Sequence, residues 1–228
     1  MKIKTLLNTN IAIVSLSLIS LFFITTKLTL LHEQSSKAEI KRFNSYRLAN
    51  QLKQSSDDLT RMVRTYVVTG DIHYKQYFDT ILDIRNGKSP RPDNYDQVFW
   101  DFIIPSINDY IPSGKKISLH QMLDEWDFSK DEITMLKMAQ DNSDKLVNLE
   151  REAMNALVGK YKDNDGKFTK IGPPNQRFAM DLVHGIKYHQ AKSIIMKPIA
   201  LFLENVNRRT SQDTQRINDT QESMIILF

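Results

Sequence analysis

Between Lys4 and Lys27 the chain runs for 22 residues without a charged side chain, and from Ile11 to Ile24 it reads IAIVSLSLISLFFI, apolar apart from three serines. A hydrocarbon layer about 30 Å thick is crossed by about 20 helical residues, and Thr5 to Thr26 supplies that length. A secretory signal peptide has a shorter apolar region and ends in an Ala-x-Ala-like site. Here the run passes instead into Thr25, Thr26, Lys27 and a second apolar patch, LTLL. Residues 1–32 are therefore expected to be a short cytoplasmic N-terminus and an uncleaved transmembrane helix. Lys2 and Lys4 precede the span, and flanking positive charge holds its side of a helix in the cytoplasm. Residues 33–222 are then expected to lie outside.

Composition narrows what that outer part is. The 228 residues are 41% hydrophobic and 25% charged, an ordinary globular mixture. Seven glycines and seven prolines are too few for a protein built on many tight β-turns, so long helices are expected. The absence of cysteine excludes disulfides, thiolate-bound zinc, iron–sulfur clusters and cysteine catalysis. The isoelectric point near 9.1 looks suited to nucleic acid until the charges are placed. Residues 1–32 contain Lys2, Lys4 and Lys27 and no acid, and the remaining 28 basic residues face 27 acidic ones. A net charge of +1 over the rest gives no support to nucleic-acid binding.

The other end of the chain repeats the membrane signal in brief. After the polar stretch NRRTSQDTQRINDTQE come Ser223, Met224, Ile225, Ile226, Leu227 and Phe228, uncharged and without a turn residue. Residues 223–228 are read as the start of a second transmembrane helix; the other reading is an apolar tail tucked into a core. Two spans bracketing an external domain is a receptor layout.

Between them the periodicity is helical. Leu48, Leu52, Ser55, Leu59, Met62, Tyr66 and Thr69 recur at alternating spacings of four and three, the seam of a helix packed along its length. That helix is expected to run unbroken out of the membrane until Gly70 and Asp71. A second follows with Tyr74, Tyr77, Phe78, Ile81 and Leu82 on one face and stops at Asn86 and Gly87, forming a hairpin with the first. After the proline-punctuated KSPRPDNY, Tyr95 to Ile104 suits a short helix with Val98, Phe99 and Phe102 inward. Ser118 with Gln121 and Ser129 with Glu132 are capping boxes, in which hydroxyl and side chain reciprocally satisfy orphan amides. The second opens a stretch free of Gly and Pro to Val158, with Ile133, Leu136, Leu146, Val147, Met154 and Leu157 as its stripe and Gly159 as its stop. The final helical stretch starts near Asn175, is interrupted at Gly185 and carries a kink signal at Pro198. Its inward positions are Ile195, Ile199, Phe202 and Val206. The expected fold is all-α: an antiparallel four-helix bundle with short extra helices, preceded by the transmembrane helix.

Little of this carries conventional chemistry. Setting Gly166 at the sixth position of a calcium loop puts Tyr161 first and Gly172 twelfth, where Asp and Glu belong. His184 and His189 are five apart and do not stack on a helix face, so no metal and no cofactor is assigned. No phosphate-binding loop, dinucleotide fingerprint or nucleophile elbow occurs, so no catalytic residue is named and this chain is not read as an enzyme. What stands out is polarity on the seams. Ser143 and Glu150 lie on or beside the stripe of the long helix, and Arg61 and Arg64 flank that of the first. A buried charge has to be paired, so Glu150 is expected to meet Arg61 or Arg64. One reading is an internal ion pair that fixes helix register. The other is a pocket for a small polar or anionic ligand, gripped by arginine forks and lined by Tyr66, Tyr77, Tyr95 and Trp100.

The blocks SSDDLTRMVRTYVVTGDIHYKQYFDTILDIRNGKSPRPDNY, FWD at Phe99 to Asp101, NSDKLVNLEREAMNAL and LVHGIKYHQAKSIIMKPI occur in this order. From Leu48 to Phe202 they resemble the N-terminal extracytoplasmic helical domain of bacterial transmembrane sensor histidine kinases, often hybrid kinases, which is also seen on chemoreceptors and diguanylate cyclases. The resemblance implies a two-span sensor whose bundle passes a signal to a cytoplasmic output domain; the expectation adopted beside it is a homodimer through the anchor-proximal helices, in the bacterial inner membrane. It implies no ligand and no binding residues. Phosphoacceptor, ATP-lid, cyclase and methylated coiled-coil motifs do not occur within these residues, so the chain is expected to be the sensing portion of a longer receptor or a truncated product retaining it. A stand-alone membrane-tethered binding or adaptor protein, or one docking on a periplasmic partner protein, is the reading from a different class.

Overall fold

A computed structural model describes residues 2–93, 95, 98–106, 113–124 and 128–226. Among them the protein is almost entirely helical, in the order α1 (Lys2–Thr69), α2 (Ile72–Arg85), α3 (Phe99–Ser106), α4 (Leu119–Asp124), α5 (Lys130–Leu157), a two-stranded hairpin of β1 (Lys160–Tyr161) and β2 (Lys170–Ile171), then α6 (Gln176–His184) and α7 (Ile186–Ile226). The chain divides into two compact units. One comprises Tyr46–Asn205, the other the residues up to Ser45 with those from Val206 onward.

In the Tyr46–Asn205 unit, local chemistry sets each boundary. The backbone of α1 ends at Gly70, whose φ of 71° is left-handed and whose amide reaches the Tyr66 carbonyl at 2.8 Å, a glycine C-terminal stop. Asp71 then begins α2 instead of merely ending α1: its carboxylate accepts the His73 amide at 3.0 Å. Both capping boxes form, at Ser118 and Gln121 before α4 and at Ser129 and Glu132 before α5. Gly159, at φ 73°, turns the chain from α5 into β1, and a Cβ there would stand 2.3 Å from the Gly172 carbonyl oxygen. Gly185 separates α6 from α7, as its position in the sequence implies, while α7 continues through Pro198.

Side-chain contacts give the directions of the long helices. From Ser56 to Thr60 along α1 the partners on α7 go from Lys192 back to Tyr188, so these helices run antiparallel. From Asp79 to Arg85 on α2 the partners on α5 go from Arg151 back to Asp144. From Met135 to Glu150 on α5 they go from Asn205 back to Tyr188 on α7. The core between them holds Leu59, Met62, Val63, Val67, Phe78, Ile81, Leu136, Ile195 and Phe202. Of the expected seam of α1, Leu48 to Tyr66 are buried and Thr69, at the helix end, is exposed; Ala49, Ser56, Thr60, Val63 and Val67 are buried as well, because that stretch has partners on more than one side. The short third helix differs from expectation: it begins at Phe99, and Val98 and Phe102 are exposed while Trp100 is the buried residue.

In the other unit, Ile3 to Phe23 carry the exposed apolar side chains of the N-terminal stretch. By length and composition, one helix among the described residues is apolar enough to cross a membrane, with a mean hydropathy of 2.1 over its best window. A groove between Lys27, Leu30, Leu31, Gln34 and Ala38 and the later Asp213, Arg216, Ile217 and Thr220 lies farther along. The C-terminal apolar run extends beyond the described residues.

Candidate functional site

The most distinctive chemistry sits inside the Tyr46–Asn205 unit, where polar groups occupy positions that helical periodicity assigns to the core. Glu150 falls on α5 at i+7 from Ser143 and i−4 from Met154, all three buried. Its Oε1 lies 2.5 Å from the Tyr188 Oη, and that hydroxyl lies 2.8 Å from Thr60 Oγ1. Thr60 in turn reaches the Ser56 carbonyl, also at 2.8 Å. A line of hydrogen bonds thus joins α5 to α7 to α1. Beside it Lys192 Nζ donates to Ser56 Oγ at 2.9 Å and to Asp57 Oδ1 at 2.7 Å. Arg64 Nε donates to the Val183 carbonyl at 2.9 Å while its guanidinium stands 5.0 Å from the centre of the Tyr188 ring.

Burial dominates the electrostatics. It pushes the Glu150 carboxyl up to about 7, against the opposing pull of the Tyr188 hydroxyl and of Lys192, Arg85 and Arg64. The same burial, with Glu150 beside it, holds the Tyr188 phenol above its ordinary value. Asp58 is raised to about 6 by burial, with Arg61 opposing and Asp101 and Asp57 adding to the rise. Asp57 goes the other way: burial would lift it, but hydrogen bonds from Lys192 and Lys53 bring it below the usual carboxylate range.

The expected ion pair between Glu150 and Arg61 or Arg64 is not formed. Arg61 pairs with Asp101 and, at 3.1 Å, with Asp58, and Arg64 is occupied by a carbonyl and a ring. Two arginines outside the expected set are buried, Arg91 and Arg85; Arg85, 1% exposed, donates to Ser143 at 2.8 Å and to Asp144 at 2.5 Å. Burial lowers its affinity for its proton, with Asp144 and Glu150 countering.

Three of the four expected aromatic residues do come together. Tyr77 and Trp100 have ring centroids 5.6 Å apart, Tyr95 and Trp100 6.4 Å, and Trp100 Nε1 donates to the Tyr95 Oη at 3.3 Å. Phe99 stands 5.3 Å from both Tyr95 and Trp100. Arg61 reaches this cluster through Asp101 on α3, and Arg91 stacks 5.3 Å from the Tyr95 ring. Tyr66 is buried in the α1 seam. The candidate residues therefore separate into an aromatic group with Arg61 and a proton-bearing group of Glu150 and Arg64 completed by Tyr188, Thr60 and Lys192.

Tyr188 was legible in principle, since it precedes Ile195 by seven residues and so lies on the inward face of α7; Arg85 has the same relation to Phe78. Lys192 likewise precedes Ile199 by seven, whereas Thr60 carried no such signal. In the loop that resembles a calcium site, the Asp163 carboxylate accepts the Asp165 and Lys167 amides at 2.9 Å each and the Thr169 hydroxyl, an internal turn. No group of three or more His, Asp or Glu residues placed to hold a metal occurs among the described residues. No protein-family model, curated protein or solved structure matches the chain.

Proposed function

We propose that this chain is the sensing region of a transmembrane signalling receptor of the sensor histidine kinase type, with an external antiparallel four-helix bundle. The observation that carries the reading is α1. It is one helix from Lys2 to Thr69, beginning in an apolar, fully exposed stretch of membrane-spanning length and ending among the buried polar groups of the Tyr46–Asn205 unit. The pairwise antiparallel runs of α1 with α7, α2 with α5 and α5 with α7 support the bundle. A helix that enters the bundle directly from an anchor is suited to passing on small shifts, because packed interfaces move between discrete arrangements. Ile194 and Leu201, seven apart and exposed on α7, support a homodimer through that face.

The arrangement is suited to a small polar or anionic ligand near Arg61 and the Tyr77, Tyr95 and Trp100 cluster. Topology is tested by inserting alkaline phosphatase or a green fluorescent protein in the exposed turn at Gly166 in bacterial cells. Phosphatase activity without fluorescence is expected, and the reverse pattern sinks the external placement. Ligand sensing is tested by thermal shift of the full chain in detergent against amino acids, organic acids, sugars, polyamines and metal ions. A stabilising hit that Arg61→Ala removes while the fold survives is the expected result.

A further inference from the structure

The line from Glu150 to Ser56 can be counted in protons. It contains three contacts: Glu150 to Tyr188, Tyr188 to Thr60, and Thr60 to the Ser56 carbonyl. A carbonyl only accepts, so the last contact uses the Thr60 proton. The Tyr188 proton is then needed for the middle contact, because Thr60 has no second one to give. The first contact is left to be filled by a proton on the Glu150 carboxyl. Three contacts need three protons, and the two hydroxyls hold two.

We infer that Glu150 is a proton-binding switch: the hydroxyl line tying α5, α7 and α1 is complete only when its carboxyl is protonated, and ionisation breaks the line between Tyr188 and Thr60. With Glu150 charged, the phenol turns to donate to the carboxylate, the stronger charge-assisted bond. Thr60 keeps the Ser56 carbonyl, its own neighbour one helical turn back. Tyr188 and Thr60 then face each other with lone pairs only, and the contact between α7 and α1 at this level becomes repulsive.

The surroundings set where the exchange occurs. Glu150 is 1% exposed, and the charges acting on it come from every packed side: Lys192 on α7, Arg64 on α1 and Arg85 on α2. Each is committed elsewhere, Lys192 to Asp57, Arg64 to the Val183 carbonyl and Arg85 to Asp144. They temper the burial without supplying a direct partner, and the carboxyl is held at about 7. Two other groups titrate nearby on the acid side. Asp58, beside Arg61 and Asp101, stands at about 6, and His184 is lowered by burial, Arg64 and His189. This inference goes beyond the receptor proposal and does not rest on it, since a carboxyl titrates whether or not the chain signals.

The test is a carboxyl titration of the full chain in detergent, with carbon-13 in the glutamate side-chain carboxyl and the Glu150 resonance assigned by its loss in Glu150→Gln. A midpoint between about pH 6 and 8 is expected. Thr60→Val removes the contact that ionisation breaks, so the midpoint falls by about one unit, the worth of one hydrogen bond. Thr60→Ser keeps the hydroxyl and leaves the midpoint in place. Tyr188→Phe removes the donor to the carboxylate and raises the midpoint by about one unit or more, and it assigns the resonance should Glu150→Gln fail to fold. A midpoint in the ordinary carboxylate range, a carboxyl still protonated above about pH 9, or indifference to Thr60→Val overturns the switch.

Discussion

Residues Ile11 to Ile24 and residues Tyr46 to Asn205 use apolar side chains in opposite ways. In the first stretch Ile13, Leu16, Leu18, Phe22 and Phe23 are all more than half exposed, and the polar residues among them are serines, of which Ser17 bonds back to the Val14 carbonyl at 2.9 Å. In the second, Leu59, Met62, Phe78 and Phe202 are buried, and so are Arg85, Ser143 and Glu150. The first stretch has the length and composition to cross a membrane, a setting in which a side chain's outward face is apolar and the helix satisfies its own backbone. The second makes its own interior, and can therefore bury charge wherever another helix brings a partner.

The contrast is broken most sharply by truncation. Phe202→Ala removes a side chain with no exposed surface that packs edge-on against Phe128 at 5.8 Å. A loss of about 3–5 kcal/mol in folding stability is expected, read by denaturant unfolding of the full chain in detergent. Arg85→Ala should lower stability by roughly 2 kcal/mol, because it leaves the buried Ser143 hydroxyl without its partner, while the half-exposed Asp144 turns to water. Arg85→Met, which keeps the stem without the charge, should lose less, and an equal loss would show that the guanidinium's bonds, and not the packing of its stem, carry the effect.

Stability should also fall as pH rises, an unusual direction for a carboxylate. Glu150 moves from an ordinary 4.5 to about 7 on folding, so the folded state holds the proton more tightly. Its contribution is fully present below about pH 4.5 and is lost as pH rises through 7, amounting to a few kcal/mol. Asp58, raised to about 6, adds a loss of the same sign at lower pH. Glu150→Gln should remove the part of the decline centred nearer 7, as followed by melting temperature between about pH 4 and 8. A decline unchanged in that variant would assign it elsewhere.

Smaller effects sharpen the comparison. Ser129→Ala breaks the capping box of α5 and should lower stability by about 1 kcal/mol. Leu16→Ala, in the exposed apolar stretch, should change unfolding of the Tyr46–Asn205 unit by less than about 0.5 kcal/mol. A larger effect there would show that the stretch belongs to the protein core and not to a lipid environment.

The helix boundaries were written in local chemistry. Gly70, Asp71, Gly87, Ser118, Ser129, Gly159, Asn175 and Gly185 each act within a turn of themselves, so their positions alone place the ends of α1, α2, α4, α5 and α6. The third helix departs from expectation because its apolar residues allow several inward faces, and only the position of Tyr77 and Tyr95 selects Trp100 over Phe102. The candidate site was half legible. Glu150 is anomalous on any helical wheel, and Tyr77, Tyr95 and Trp100 pack against one another, but Glu150 meets Tyr188 and not the expected Arg61 or Arg64.

The partner of Glu150 marks the boundary between the two kinds of information. Apolar length, charge placement, the absence of cysteine and the cap residues determined a helical chain with one stretch of membrane-crossing length, because each depends on neighbours within a few residues. Tertiary structure alone decided that Glu150 faces Tyr188, that Arg85 takes Asp144, and that Thr60 rather than an arginine carries the line into α1. Those pairings depend on the rotation and axial register of α1, α2, α5 and α7 against one another. Register is settled by the packing of the whole core, and no single helix carries it in its own sequence.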